Sequence, residues 1–232
     1  MHPRTALFRA IVTVASVCLA LGAGLQAPAS ARPIDATVLE APLLSIGPDP
    51  TMAMNPGAAF FAGDSLTFDT WHWGDLAATA TRGGWAVSGV RARGGLRAWE
   101  LASAWPGIAG DLPGVILVAV GANDVIHGTP AAAFRRQLQR IIRLCGDRPV
   151  ALVGVSARSD PLVAQRERRL NNVMRSLARS SDRVFYSDWA TVMERHPEWA
   201  LPQDPFGIHL TDQGLKGRAR FYVRALNRAA RS

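Results

Sequence analysis

Val115-Ile116-Leu117-Val118-Ala119-Val120 is an unbroken run of six apolar residues, four of them β-branched, set between Gly114 and Gly121. A run this short, this β-branched and without polar alternation is the pattern of a strand covered on both faces. The theme repeats outward in both directions. Val150 to Val155 (VALVGV) and Val184 to Tyr186 follow it, Ala58 to Ala62 (AAFFA) precedes it, and Trp85 to Val90 is a weaker version. Between these runs the period becomes helical. Thr129 is placed to cap a helix with Pro130 at its first position, running to about Leu144 and stopped by Gly146. A second helix covers roughly Pro161 to Arg179. A third, capped by Thr211, runs from about Asp212 to Ala229. Strands alternating with helices of this length imply a parallel sheet with helices on both sides, a three-layer α/β/α domain. Five strands are expected, mostly parallel.

Composition bounds the rest. The chain has 232 residues, one ordinary domain, and 48% of them are apolar, enough for a full core. A mean hydropathy of +0.07 excludes a polytopic membrane protein. Cys18 and Cys145 are the only cysteines, too few for a disulfide framework or a cysteine-built metal site.

The first residues read as a leader. Arg4 and Arg9 form a basic start, Ala10 to Leu25 carry no charge, and Ala29-Ser30-Ala31 supplies small residues where a signal peptidase cuts. Residues 1–31 are therefore expected to be a signal peptide. Residues 32–57, with five prolines and no clear period, are expected to be an extended lead-in, and residues 58–232 the domain. The protein is then secreted or held at the cell envelope.

The formal net charge is +8, and Lys216 is the only lysine among 26 basic residues. Arginines gather at Arg135, Arg136, Arg140 and Arg143, and again at Arg166, Arg168, Arg169, Arg175 and Arg179. Amphipathic helices with arginine on their solvent faces account for this spacing. Export and the lack of interleaved aromatics argue against nucleic acid. Attraction to an anionic cell envelope fits the charge.

In a parallel sheet, chemistry collects beyond the carboxyl ends of the strands. The AAFFA strand ends in Gly63-Asp64-Ser65-Leu66, which exposes a serine hydroxyl near a helix start. The VILVAV strand ends in Gly121-Ala122-Asn123-Asp124, which brings an asparagine amide to the same edge. Gly207-Ile208-His209-Leu210-Thr211 leads into the last helix with a histidine on the loop. A nucleophile, a base and an oxyanion donor meet at one edge. Asp64 and Asp124 are expected to brace the loops by hydrogen bonding. His72, His127 and His196 lack metal-ligand spacing, so neither metal nor cofactor is expected.

These blocks resemble the SGNH/GDSL hydrolase family, whose pattern runs GDSL, a glycine, GxND and a late DxxH. The resemblance covers Ala58 to the C-terminus. It implies that Ser65 is the nucleophile and His209 its general base. It also implies an oxyanion hole built from the Ser65 N–H, a glycine N–H and the Asn123 side chain. The glycine comes from Arg93-Gly94-Gly95-Leu96, with Gly95 preferred over Gly94 because a helix follows it.

The chain departs from the family at one position. Three residues before His209 stands Phe206, not aspartate, and the nearest acid is Asp204. A bulged turn through Pro205-Phe206-Gly207 would let Asp204 reach the imidazole. Otherwise a backbone carbonyl orients His209, and Asp188 is a more distant alternative.

Four tryptophans (Trp71, Trp73, Trp189 and Trp199) are read first as core, and second as a platform for sugar or acyl groups. Asp188-Trp189, His196-Pro197-Glu198-Trp199 and the GIHLT block together resemble the extracellular SGNH domain of bacterial envelope O-acyltransferases. That likeness implies a small-molecule or glycan-linked acyl ester as substrate. It leaves an acyl transferase and a non-catalytic glycan-binding module as alternatives to an esterase.

Overall fold

The computed structural model describes residues 43–157 and 160–231. The segment expected to be a signal peptide and the first part of the lead-in lie outside the described residues. Six strands form one sheet in the order β1-β3-β2-β4-β5-β6. They are β1 (Leu43–Ile46), β2 (Ala58–Gly63), β3 (Ala86–Arg93), β4 (Val115–Ala119), β5 (Val150–Val153) and β6 (Val184–Ser187). From β3 to β6 every neighbouring pair is parallel. β2, β4 and β5 are buried at every residue, which explains their continuous apolar sequence.

The strand count expected from sequence is corrected from five to six. β1 pairs antiparallel with β3 at the sheet edge, within the segment expected to be a lead-in. Three of its four residues are exposed, so no burial pattern marks it in the sequence. The rest of this stretch is also tied to the domain. Asp49 N–H donates to the Ser88 carbonyl and Gly114 N–H to the Asn55 carbonyl (3.0 and 2.8 Å). The domain therefore begins before Ala58.

Eight helices lie among the described residues: α1 (Ser65–His72), α2 (Leu76–Arg82), α3 (Ala98–Ala104), α4 (Ala122–Ile126), α5 (Ala131–Leu144), α6 (Pro161–Arg179), α7 (Trp189–Arg195) and α8 (Asp212–Ala229). α1, α2 and α8 pack together on one side of the sheet, and α3, α5 and α6 on the other. On α5, Phe134, Leu138, Ile141 and Ile142 face the core at helical spacing. One cap differs from expectation. Pro130, not Thr129, occupies the N-cap of α5, and no side chain satisfies the first turn. The expected bounds and caps hold at α8, where the Thr211 hydroxyl accepts from Gly214 N–H. α6 is capped by Asp160, which accepts from Leu162 and Val163 N–H.

Candidate active site

Three strand ends lie side by side. Gly63 of β2 is in register with Ala92 of β3 and with Ala119 of β4, so the loops leaving them share one edge. Just beyond β2, Asp64 caps α1 by accepting the Leu66 N–H (3.2 Å), which makes Ser65 the first helical residue. The N–H groups of a first helical turn have no intrahelical acceptor, so they point toward any negative charge that develops there. Asp64 also accepts the Ala122 N–H (3.3 Å), which ties the Ser65 turn to the loop after β4. Burial pushes the Asp64 carboxyl up from its ordinary value, against the opposing pull of the Arg218 charge and the two backbone donors.

The loop after β4 carries Asn123, half-buried, whose Nδ2 donates to the Leu96 carbonyl at 3.2 Å. That bond takes one amide hydrogen and sets the plane of the amide, leaving the other hydrogen for a ligand. Next to it, Asp124 accepts the Ala98 N–H at 2.9 Å, so adjacent side chains of α4 fasten the start of α3. Between β3 and α3, Leu96 N–H closes a turn on the Arg93 carbonyl. Gly95 holds φ at +73° in this turn, a left-handed conformation that favours glycine. Gly95 is exposed and Gly94 half-buried, and the fastened loop carries both at the edge beside Ser65.

His209 arrives from a hairpin whose arms are joined by the Ala200–Leu210 bridge and by Leu201 N–H donating to the His209 carbonyl (2.9 Å). Within it, Gly207 N–H donates to the Asp204 carbonyl, and Gly207 takes φ +59°. The chain doubles back over the Asp204 side chain. Oδ1 accepts from Phe206 N–H (3.1 Å), and Oδ2 accepts from both Ile208 and His209 N–H at 2.6 Å. Oδ2 also lies 3.2 Å from His209 Nδ1, and Nε2 of the same ring lies 3.4 Å from Ser65 Oγ. Of the partners the sequence leaves open for His209, the structure brings up Asp204. Asp188 is engaged elsewhere, paired with Arg175 (2.8 Å) and capping α7 through Thr191 N–H.

The charges are consistent with this order. Burial pushes Asp204 upward, but the hydrogen bonds from the His209 ring and backbone outweigh it and hold the carboxyl at about 2. Burial pushes His209 down, and the Asp204 carboxylate, with Asp69 and Asp64 behind it, raises it above its ordinary value. An ionised Asp204 keeps the proton on Nδ1, so Nε2 can accept the Ser65 hydroxyl proton.

Of the tryptophans, Trp189 (1% exposed) and Trp199 (8%) stack on each other in the core. Trp71 and Trp73 are half-buried. Among the described residues no three His, Cys, Asp or Glu side chains cluster as metal ligands would. The sequence reading missed Arg218 and Tyr222 of α8, buried below the Ser65 turn. Their signal was available, since an arginine falls on the same helical face as Leu215, Ala219 and Tyr222.

Solved structures share this fold. The C-terminal catalytic domain of Streptococcus pneumoniae peptidoglycan O-acetyltransferase A (OatA) matches 77% of this chain and 93% of its own, at 16% identity and a TM-score of 0.58. The lipase/acylhydrolase from Enterococcus faecalis matches 74% and 96%, at 21% identity and a TM-score of 0.60. The Clostridium thermocellum family 3 carbohydrate esterase matches 75% and 96%, at 13% identity and a TM-score of 0.60. No curated protein sequence matches the chain. Residues 61–216, from within β2 into α8, match the family model that spans the Ser65, Asn123 and His209 blocks. The chain belongs to the GDSL-like lipase/acylhydrolase family.

Proposed function

We propose that the protein is a serine ester hydrolase that removes an O-acyl group through a Ser65 acyl-enzyme. The observation that carries this reading is the unbroken series Asp204–His209–Ser65 at the sheet edge that also presents Asn123. His209 Nε2 takes the Ser65 proton as Oγ attacks the ester carbonyl carbon. The former carbonyl oxygen becomes an oxyanion, met by the Ser65 N–H, the Gly95 N–H (or its neighbour Gly94) and Asn123 Nδ2. Each such donor, held in place beforehand, lowers the barrier by about 3 kcal/mol. The imidazolium then protonates the leaving alkoxide, which departs as the alcohol. Water, deprotonated by His209, attacks the acyl-enzyme, and the acid leaves as Ser65 recovers its proton.

Export and a substrate at the cell envelope belong to the same proposal. The leader-like start and the basic charge support them. Similarity to a peptidoglycan O-acetyltransferase domain and to a carbohydrate esterase favours an acylated glycan, with transfer to a glycan hydroxyl as the second reading. A glycan-binding module without catalysis is the reading that both would replace.

The test is p-nitrophenyl acetate hydrolysis by the protein beside Ser65→Ala. Turnover lost in the variant is the expected result. Covalent labelling of Ser65 by a phosphonate without turnover points to the transferase, and adding a glycan acceptor then yields acylated glycan. Neither turnover nor labelling in the folded protein leaves the binding module.

A further inference from the structure

Arg218 of α8 is 2% exposed, and no ion pair found among the described residues includes it. A guanidinium without a carboxylate partner is a costly group to bury. It lies between two rings, 4.8 Å from the Trp189 centroid and 5.0 Å from that of Tyr222. Its Nε–H donates to Tyr222 Oη at 2.9 Å, while Nη1 has no hydrogen-bond partner. Arginine only donates, so the Tyr222 hydroxyl receives that bond. The same hydroxyl shares a hydrogen bond with Thr67 Oγ1, 2.9 Å away, in the first turn of α1 and two residues after Ser65.

This relay joins the two elements that set the Ser65–His209 spacing. α8 begins three residues after His209, and α1 begins at Ser65. Asp64, the buried cap of α1, feels the Arg218 charge as its main source of relief from burial. Arg218 thus touches the Ser65 turn in two ways, by hydrogen bonds through Tyr222 and by charge on the cap.

We propose that Arg218 is a positioning residue for the Ser65–His209 pair, acting through Tyr222–Thr67 and through its charge on the Asp64 cap. The proposal rests on the esterase reading for its consequence in catalysis, but not for its effect on Asp64. The groups facing Asp64 are Arg218 and Tyr222 from α8 and His209 from the hairpin, besides the Leu66 and Ala122 N–H donors. With Arg218 gone, no cation but a protonated His209 opposes the protonation of Asp64.

The experiment uses wild type, Arg218→Met, Arg218→Lys and Tyr222→Phe. Two quantities are read: the carboxyl titration of Asp64 by NMR and the rate of Ser65 labelling by a fluorophosphonate across pH. In Arg218→Met, Asp64 is expected to titrate higher than in wild type, because the cation that opposes its protonation is gone. Labelling is expected to slow roughly tenfold or more, with its acid limb moved the same way. Arg218→Lys and Tyr222→Phe are expected to slow labelling with Asp64 titrating as in wild type, since the charge remains and the relay does not. If Arg218→Met does not fold, these two variants carry the test. A folded Arg218→Met with unchanged Asp64 titration overturns the proposal, as does wild-type labelling in both other variants. Absence of labelling in wild type sinks the esterase reading instead, and the Asp64 titration still decides Arg218.

Discussion

Asp204 Oδ2 stands 3.2 Å from His209 Nδ1 while also accepting the backbone N–H groups of Ile208 and His209. The carboxylate therefore holds the imidazole and the turn that delivers it. In the family's usual spacing an acid three residues before the histidine does this job. Here two more residues intervene, and the turn from Asp204 to Gly207 absorbs them, closed by Gly207 N–H on the Asp204 carbonyl. Phe206, at the acid's usual position, packs its half-buried ring against the core instead.

Asp204→Asn should lower turnover by a factor on the order of 10⁴, because the neutral amide no longer enforces the tautomer with hydrogen on Nδ1. The pH dependence gives a second readout. Wild-type kcat/KM should rise along an acid limb above histidine's ordinary value of 6.5, because His209 is raised and is inactive while protonated. In Asp204→Asn that limb should move to lower pH. Stability follows the same pair. With Asp204 depressed to about 2, its contribution of about 2 kcal/mol is present above the unfolded value near 4 and is lost as pH falls toward the folded one. The raised His209 contributes below 6.5 and loses its share as pH rises through its folded value. The gap in melting temperature between wild type and variant should be widest from about pH 4 to 6. Near-wild-type turnover in Asp204→Ala beside an inactive His209→Ala would remove Asp204 from the mechanism.

Asn123→Ala should lower kcat by about 10² to 10³ with little change in KM, the result for a donor that acts on the transition state. The amide also holds the Leu96 carbonyl, so Asn123→Asp is expected to fail equally, having no hydrogen to give either partner. Gly95→Ala separates the neighbouring glycines. A Cβ there meets nothing within 4 Å, so the cost is the +73° dihedral, about 1 kcal/mol of strain. Kinetics of the three variants alongside their melting temperatures provide the check. A Gly95→Ala enzyme as stable and as active as wild type would shift attention to Gly94.

What could be read from the sequence tracks burial on both faces and local chemistry. Val115–Ala119 and Val150–Val153 are legible because every position is covered, and α8 because a polar cap precedes an apolar stripe. β1 is not legible, since an edge strand with one partner and three exposed residues of four has no reason to alternate. Ser65 and Asn123 are visible because each stands just beyond a strand at a helix start, and His209 because it stands on the loop just ahead of the Thr211 cap. The hold of Asp204 on His209 needs the path of the Pro205-Phe206-Gly207 turn, which spacing alone leaves open. The Arg218–Tyr222–Thr67 relay joins residues 155 apart in sequence at its outer hydrogen bond, and no local signal reports such a contact.

Gly217 of α8 gives the sharpest test of how the core supports the site. Glycine to alanine inside a helix ordinarily stabilises by about 1 kcal/mol. Here a Cβ would lie 2.5 Å from Cη2 of Trp199, a buried ring stacked at 4.0 Å on His196 and packed against Trp189. A rigid indole cannot yield as a flexible side chain would, so overpacking of about 1–3 kcal/mol outweighs the helical gain. The consequence reaches the site, because the Trp199 carbonyl accepts from both the N–H and the hydroxyl of Thr211, two residues after His209. Gly217→Ala should therefore lose stability and turnover together, with the loss in kcat exceeding any change in KM. Thermal melts and steady-state kinetics test this, and a stabilised, fully active Gly217→Ala would show that Trp199 does not brace the His209 hairpin.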